Sequence, residues 1–394
     1  MDDSIEQTFA NLFEWCRQRD FAGYDPFDAL NSQIFQSTPL QHSPTARLIW
    51  TQLSKRSPLN LRRLALVQPQ RNPKGIAVFA LAALANYRRS QTIEAETETR
   101  ELLDNLWDVR ILGYNGAAWG YNFAWQSRNF FAPQGTPMIV PTAFAARAFV
   151  EAHQTFGDEN YLQKAQSSCS FILLDLGRPV ETREEVCFSY SPVDATRIFN
   201  ASLLAAETLA SVGTLDGEIE YCDFALRAAR YVVRKQNSDG SWAYGEERGQ
   251  DWIDNFHTAY VLLSLSRIVK SCNVADAAIS KALQRGYEFW RERFFLADGW
   301  PKYYHDSLYP ADAHAAATAI ITLLELQRPD RSALPLAEKI ATWTIRNLRD
   351  RRGFFYYQRR RFFTIHTPYM RWTQAWMLYA LARLLEEKTC NPDC

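Results

Sequence analysis

Four short stretches gather the side chains best suited to moving protons and holding anions. Asp194, Arg197 and Asn200 follow one another at spacings of three, which on a helix puts them on one face within the first turns. Asp254, Asn255 and His257 form the second group, Asp312 and His314 (with His305 just before) the third, and His366, Tyr369, Arg371 and Gln374 the fourth. Three of the six histidines thus fall at corresponding places, and a group with a pKa near ~6.5 suits proton transfer at neutral pH. On this reading His257, with His314 or Tyr369, takes and returns a proton. In the alternative mechanism Asp194 and Asp254 hydrolyse a glycosidic bond as acid and base; Arg197 or Arg371 would clamp a substrate carboxylate with its planar fork. Each residue also has a plainer use. Asp194, Asp254 and Asp312 are good helix N-caps, worth about 0.5–2 kcal/mol each, and a buried arginine needs a carboxylate for its own sake.

The elements that would position these groups come from an internal repeat. Gly240-Ser241-Trp242-Ala243-Tyr244 recurs as Gly299-Trp300-Pro301-Lys302-Tyr303-Tyr304 and as Gly353-Phe354-Phe355-Tyr356-Tyr357, a period of about 55 residues. A looser copy is Gly116-Ala117-Ala118-Trp119-Gly120-Tyr121, and Phe188-Ser189-Tyr190 marks another without its glycine. Each is a tight turn. Trp119, Tyr121, Trp125, Trp242, Tyr244, Trp300, Tyr303 and Tyr304 are either hairpin packing or a stacking platform for a ligand.

After each turn comes a strongly apolar stretch: 75–87, 142–154, 200–211, 258–268, 313–326 and 371–385. Between them lie amphipathic stretches with charged faces, at 98–111, 159–174, 218–234, 275–293 and 334–348, with 44–54 as the remaining partner. Apolar on every side means buried; a stripe repeating every ~3.6 residues means half-exposed. The alternation predicts an all-α (α/α)6 toroid, an inner ring of six helices inside an outer ring. An open solenoid would use shorter repeats without the long aromatic loop. Residues 1–394 read as one domain, with 1–40 as an N-terminal extension and 389–394 as a polar tail. In a closed ring the four polar groups converge on one mouth, where helix N-termini favour an anion.

Composition agrees with a large core: hydrophobic residues make up 47% and aromatics 14% of 394. Forty-four basic and 44 acidic side chains leave no net charge, so nothing draws the whole protein to nucleic acid. Arg359-Arg360-Arg361, beside Arg351-Arg352, is the one basic run. The N-terminus lacks the basic and apolar regions of a signal peptide and no stretch suits a membrane span. The seven scattered cysteines fit reduced thiols, so a cytoplasmic protein is expected. Neither a metal-ligand spacing, a phosphate-cradling loop nor a Gly-x-Ser-x-Gly elbow is present, and no cofactor is expected.

Gln236-Asn237-Ser238-Asp239-Gly240-Ser241-Trp242 resembles the Gln/Trp repeat of terpenoid cyclases and of the protein prenyltransferase β subunit, and 254–265 resembles the inner helix that follows it. The chain from about residue 60 to 388 is also similar to six-hairpin sugar-active proteins (glycosidases, epimerases and polysaccharide lyases) and to proteins of this shape associated with bacterial polysaccharide synthesis. It departs from the cyclases: Asp251-Trp252-Ile253-Asp254 stands where Asp-x-Asp-Asp would be needed. No cysteine stands at an inner-helix start to serve as a prenyltransferase zinc ligand.

These readings predict a carbohydrate-active enzyme for an acidic or lipid-linked glycan, of epimerase, lyase or glycosidase type. Arg197, Asn200, Asn255, Trp119, Tyr121, Trp242, Tyr244, Trp300, Tyr304, His366 and Arg371 are the expected substrate contacts. The alternatives are an isoprenoid cyclase or transferase and a glycan-binding toroid without catalysis.

Overall fold

The computed structural model describes residues 4–327 and 330–390. The chain begins with α1 (Ile5–Arg17), α2 (Gln33–Gln36), α3 (Pro44–Arg56) and α4 (Pro73–Ser90). Then follow α5 (Ile93–Asp108), α6 (Ile139–Phe156), α7 (Glu159–Leu174), α8 (Phe199–Asp216), α9 (Ile219–Arg234), α10 (Asn255–Cys272), α11 (Ala277–Phe294), α12 (Ala313–Glu325), α13 (Ala333–Leu348) and α14 (Trp376–Cys390). A six-residue π-helical turn, Met370–Ala375, leads into α14. Residues 391–394 of the expected polar tail lie outside the described residues, and 389–390 continue α14.

The even-numbered helices from α4 to α14 form the inner ring. Each packs on the next, and α14 closes on α4. The chain is an (α/α)6 toroid. Alanine at close-approach positions, such as Ala80 and Ala316, is completely buried and lets neighbouring backbones meet. One expectation fails. The sixth outer helix is not 44–54 but α1, which packs on α14 and α13. Helix α3 instead lies over short 310 turns near the mouth. Its buried face is only Thr51 and Ser54, too little apolar surface to join the ring. The outer-ring helix therefore lies within the first forty residues.

The repeat glycines explain the regular spacing. Gly240, Gly299 and Gly353 have φ of +94°, +90° and +100°, a left-handed region open mainly to glycine. A Cβ there would lie 2.6 Å from backbone of Arg285 in α11, 2.6 Å from Lys339 in α13 and 3.0 Å from Asn11 in α1. Each turn is thus pressed onto the next outer helix.

The tyrosines that follow tie the inner ring together. The first amide of α6 donates to the carbonyl of Tyr190, that of α8 to Tyr244, that of α10 to Tyr303 and that of α12 to Tyr357; Met370 donates to Tyr24. The corresponding position of α4 is Pro73, which has no N–H to donate. Every other inner-helix start is therefore capped by the neighbouring loop. Two-stranded ribbons stiffen these loops: β1 (Trp125–Gln126) with β2 (Phe131–Ala132), and β3 (Val180–Glu181) with β4 (Val186–Cys187). β5 (Ala311–Asp312), β6 (Gln358–Arg359) and β7 (Thr364–Ile365) make a third sheet.

Towards their C-terminal halves the inner helices are not apolar all round. Arg88 of α4 bonds Glu151 of α6 (3.2 Å) and Glu386 of α14 (2.5 Å), and Glu386 meets Arg383 at 3.1 Å. Arg383 faces Glu325 of α12 at 3.7 Å, Glu325 pairs with Arg267 of α10, and Arg267 reaches Glu207 of α8 at 2.9 Å. Glu207 pairs with Arg147, one turn from Glu151 on α6. These four arginines and four glutamates form a charge-neutral belt joining all six inner helices.

Candidate active site

The mouth end gathers histidine, aspartate, tyrosine and lysine side chains. Asp254 caps α10, its Oδ1 accepting the His257 amide at 2.9 Å, while Oδ2 accepts Nδ1 of the His257 ring at 2.7 Å and the indole N–H of Trp252 at 3.0 Å. With Nδ1 held by a carboxylate, Nε2 is the nitrogen left for exchange. The His257 side chain keeps 22% of its exposure and Asp254 keeps 1%. Tyr244 packs against the imidazole (4.5 Å between centroids) and stacks on Trp252 (4.5 Å, 17°). A cavity of about 10 Å³ lies here, bordered by Asn200, Tyr244, Trp252, Asp254 and His257, large enough for one water. Asn200 is buried, and its Oδ1 has no hydrogen-bond partner.

Deeper in lies a second pair. His314 Nε2 and the Tyr260 hydroxyl are 2.8 Å apart. His314 stacks on Trp376 (4.6 Å) and touches Trp372 edge-on (4.4 Å). Burial, reinforced by Lys74 and Arg371, drives its pKa well below the ordinary value, so the imidazole is neutral. Burial also pushes the Tyr260 hydroxyl well up.

Beside this pair is Lys74, in the first turn of α4 and 3% exposed. Its Nζ lies 4.7 Å from the Phe144 ring centroid, 5.6 Å from Tyr260 and 5.4 Å from Trp376. Among the described residues no carboxylate or other acceptor bonds it. Burial first, and then Arg371, lower its pKa well below that of a free lysine. The sequence reading passed over Lys74, Tyr260, Trp252, Trp376 and Asp25. Lys74 stands in an apolar helix start, where one lysine carries no pattern.

Several expected contacts are committed elsewhere. Arg371 is 2% exposed and holds both oxygens of Asp25, at 2.5 and 2.7 Å; it stays charged but has no fork free for a substrate. Arg62 Nη1 donates to the Tyr369 hydroxyl at 2.8 Å, and Arg62 also pairs with Asp28. Burial raises the Tyr369 pKa to about 12, which removes it from proton transfer near neutrality. Asp194 organises its own loop, accepting from Ser191, Thr196 and the Tyr190 amide, and is not a helix cap. Arg197 is half-buried on the rim between Glu246 and Glu247. Asn255 accepts from Trp290 and donates to the Lys302 carbonyl.

The aromatic set divides in the same way. Trp119, Trp242 and Trp300 each spend the indole N–H on a backbone carbonyl, of Leu106, Val232 and Leu308. They are packing residues. Tyr304 lies on the rim, and His366 is exposed against Tyr356 (4.3 Å), away from the other groups. Tyr121 and Tyr244 do reach the interior: Tyr121 stacks on Phe123 (5.1 Å, 3°) beneath the Arg371 guanidinium. Asp312 caps α12 through the His314 and Ala315 amides and accepts from Gln358 at 2.6 Å. Among the described residues no three His, Cys, Asp or Glu side chains come together as metal ligands.

Comparison with known proteins bears on the fold. No family profile matches the chain, and no curated protein matches it. Among solved structures it is similar to the cellobiose 2-epimerase of Bacillus thermoamylovorans, with a TM-score of 0.64 and 12% identity over 82% of this chain and 90% of that one. It is similar also to a GH76 α-mannanase of Bacteroides thetaiotaomicron (0.62; 12%; 81% and 87%). An unsaturated glucuronyl hydrolase specific for heparin is a third (0.59; 16%; 82% and 88%). The chain shares the six-hairpin toroid of these sugar-active enzymes. No helix among the described residues is long and apolar enough to cross a membrane.

Proposed function

We propose that the protein is a carbohydrate-active enzyme whose central step is proton transfer at a sugar carbon by His257. The observation that carries this is the Asp254–His257 dyad, with Nδ1 fixed by a buried carboxylate and Nε2 left for exchange at an aromatic-lined cavity. That arrangement sets the tautomer and supports the imidazolium formed when the ring takes a proton. Tyr244 and Trp252 offer flat faces for a sugar ring. The neutral Tyr260–His314 pair offers a hydrogen-bonding partner deeper in the site, and the unpaired Lys74 amine beside it can donate to an oxygen on which charge develops. The likeness of the toroid to an epimerase, a mannanase and a glucuronyl hydrolase supports the substrate class.

Hydrolysis by two carboxylates is less well supported. It needs two acids about 5–10 Å apart that face one space, and Asp194 is consumed in its loop while Asp254 orients His257. Isoprenoid chemistry is disfavoured by the charged interior, where Asp25, Asp254, Lys74 and Arg371 occupy what would be the hydrocarbon-lined base. An acidic substrate would find Lys74 rather than either expected arginine. A cavity of about 10 Å³ holds a water and not a sugar, so admission requires the loop carrying Trp252 to shift.

The test is proton exchange. Neutral disaccharides, uronate oligosaccharides and lipid-linked oligosaccharides are incubated with the protein in D2O, and deuterium incorporation at carbon is followed by NMR. Incorporation lost by a factor of about 10²–10⁴ in His257→Ala, with the fold retained, is expected. No incorporation by the wild-type chain into any of the three classes would overturn the reading.

A further inference from the structure

The mouth is bordered by a surface that the chemistry above does not use. From Ala29 to Ile93 the chain has no Asp or Glu, yet it carries Arg47, Lys55, Arg56, Arg62, Arg63 and Arg71 before α4 begins. Of these, Arg47, Lys55, Arg56 and Arg63 have no carboxylate in ion-pairing range among the described residues. The contrast with the belt, where every arginine is paired, is sharp.

The same segment turns aliphatic side chains outward. Ile49, Leu53 and Arg56 lie at i, i+4 and i+7 on α3, one face of the helix; Ile49 and Leu53 are 55% and 60% exposed. Leu59 and Leu64 follow at 69% and 76%. Single exposed leucines are ordinary, but a run of them on one segment marks a contact surface. The opposite face of α3 is anchored, with Lys55 Nζ 4.3 Å from the Phe27 ring and the Trp50 indole donating to the Ala29 carbonyl.

A second element adds to this rim. The turn between β6 and β7 is Arg360-Arg361-Phe362-Phe363, and Phe362, at its tip, is 86% exposed. Arg361 lies over the Phe362 ring (5.3 Å). The strand beneath is tied to the mouth through Gln358, which donates to the Asp312 cap of α12. Arg360 is within electrostatic reach of Lys55 and, with Arg56, of Tyr304. The hairpin and α3 are therefore neighbours on one rim.

We infer that this rim docks on an anionic lipid bilayer. Arg56, Arg63 and Arg361, exposed and without a carboxylate partner among the described residues, meet lipid phosphates, while Phe362, Leu53 and their neighbours enter the headgroup–acyl boundary; Arg47 is held by Gln126 and Lys55 turns inward. Aromatic and aliphatic tips flanked by arginine suit that boundary, where long basic side chains bury their stems and keep their charge in water. Nucleic acid would take the arginines but leave the aliphatic stripe unexplained. The inference stands apart from the sugar chemistry; joined to that reading, it has the mouth receive a saccharide whose far end is anchored in the membrane.

Co-sedimentation of the full chain with vesicles tests it. Mixed phosphatidylcholine–phosphatidylglycerol vesicles should pellet the protein, and phosphatidylcholine vesicles should leave it in solution. Arg56→Gln and Arg361→Gln should each weaken binding about fivefold. Phe362→Ser and Leu53→Ser, at exposed positions and with unchanged circular dichroism, should weaken it several-fold further at raised salt. Failure to pellet with the anionic vesicles would overturn the inference. So would pelleting that both serine variants leave intact, or a DNA duplex that captures the protein more tightly than the vesicles do. Vesicle binding without deuterium exchange would overturn the enzymatic reading alone.

Discussion

At the C-terminal half of the ring, Arg267 sits between Glu207 and Glu325, and each of its neighbours is shared with another arginine. At the mouth, Lys74 is more deeply buried but sits among Phe144, Tyr260 and Trp376 with no ion-pairing carboxylate among the described residues. Carboxylates follow the same division. Burial pushes Glu325 up, yet Arg267 and then Arg383 overcome it and hold the group at about 2. Burial prevails over Gln358 and the backbone amides at Asp312, and over Arg62 at Asp28, and both are raised to about 6. The belt consists of mutually compensated charges, whereas the mouth mixes buried ion pairs (Arg62–Asp28, Arg371–Asp25) with Lys74 and Asp312, which have no ion-pair partner among the described residues. One end joins the six inner helices through ion pairs; the other holds the groups to which the proposed proton transfer is assigned.

Removing one arginine from the belt should produce the largest change. Arg267→Met leaves Glu207 and Glu325 under-compensated, and urea denaturation should show a loss of about 3–5 kcal/mol. A loss below 1 kcal/mol would mean that the belt does not act as a unit.

The two ends should also differ in their pH dependence. Glu325 has a lowered pKa, so its contribution is present above about 4.5 and is lost as pH falls toward about 2; it is worth on the order of 3 kcal/mol. Asp312 has a raised pKa, so its contribution is complete below about 4 and is lost as pH rises through about 6. Stability curves should therefore show Asp312→Asn gaining on the wild type between pH 4 and 6, and Glu325→Gln converging on it below pH 4.5. Parallel curves for both variants would erase the contrast.

Lys74→Met should have the smallest effect on stability and the opposite sign. Replacing an unpaired buried amine with an apolar chain of similar length should leave the fold unchanged or raise stability by about 1–2 kcal/mol. Deuterium exchange into substrate should fall at the same time. A clear loss of stability would place Lys74 with the structural charges instead.

Much of the ring was legible in the linear chain. The Gly/aromatic turn needs glycine wherever a left-handed turn presses on the next outer helix, so Gly240, Gly299 and Gly353 report the period directly. Tyr190, Tyr244, Tyr303 and Tyr357 recur because each loop caps its neighbour. The alternation of apolar and amphipathic stretches located eleven of the twelve ring helices, and α1 was missed because 44–54 carried a comparable pattern. The sequence places Asp254 and His257 at one helix start without pairing them: it matches Asp254 with Asp194 and His257 with His314 or Tyr369, and only the folded chain shows the cap carboxylate on the ring three residues on.

Residue types and spacing thus determined the repeat and the helical ring, because both follow from short-range backbone geometry. Tertiary structure alone decided which charges are free. Arg371 and Asp25 are 346 residues apart, and no local pattern shows that this arginine is occupied. Nor does any show that Lys74 is left alone, or that eight scattered charges close into a belt. Whether a buried group is compensated depends on its partners across the ring, and those are set only when the six hairpins close.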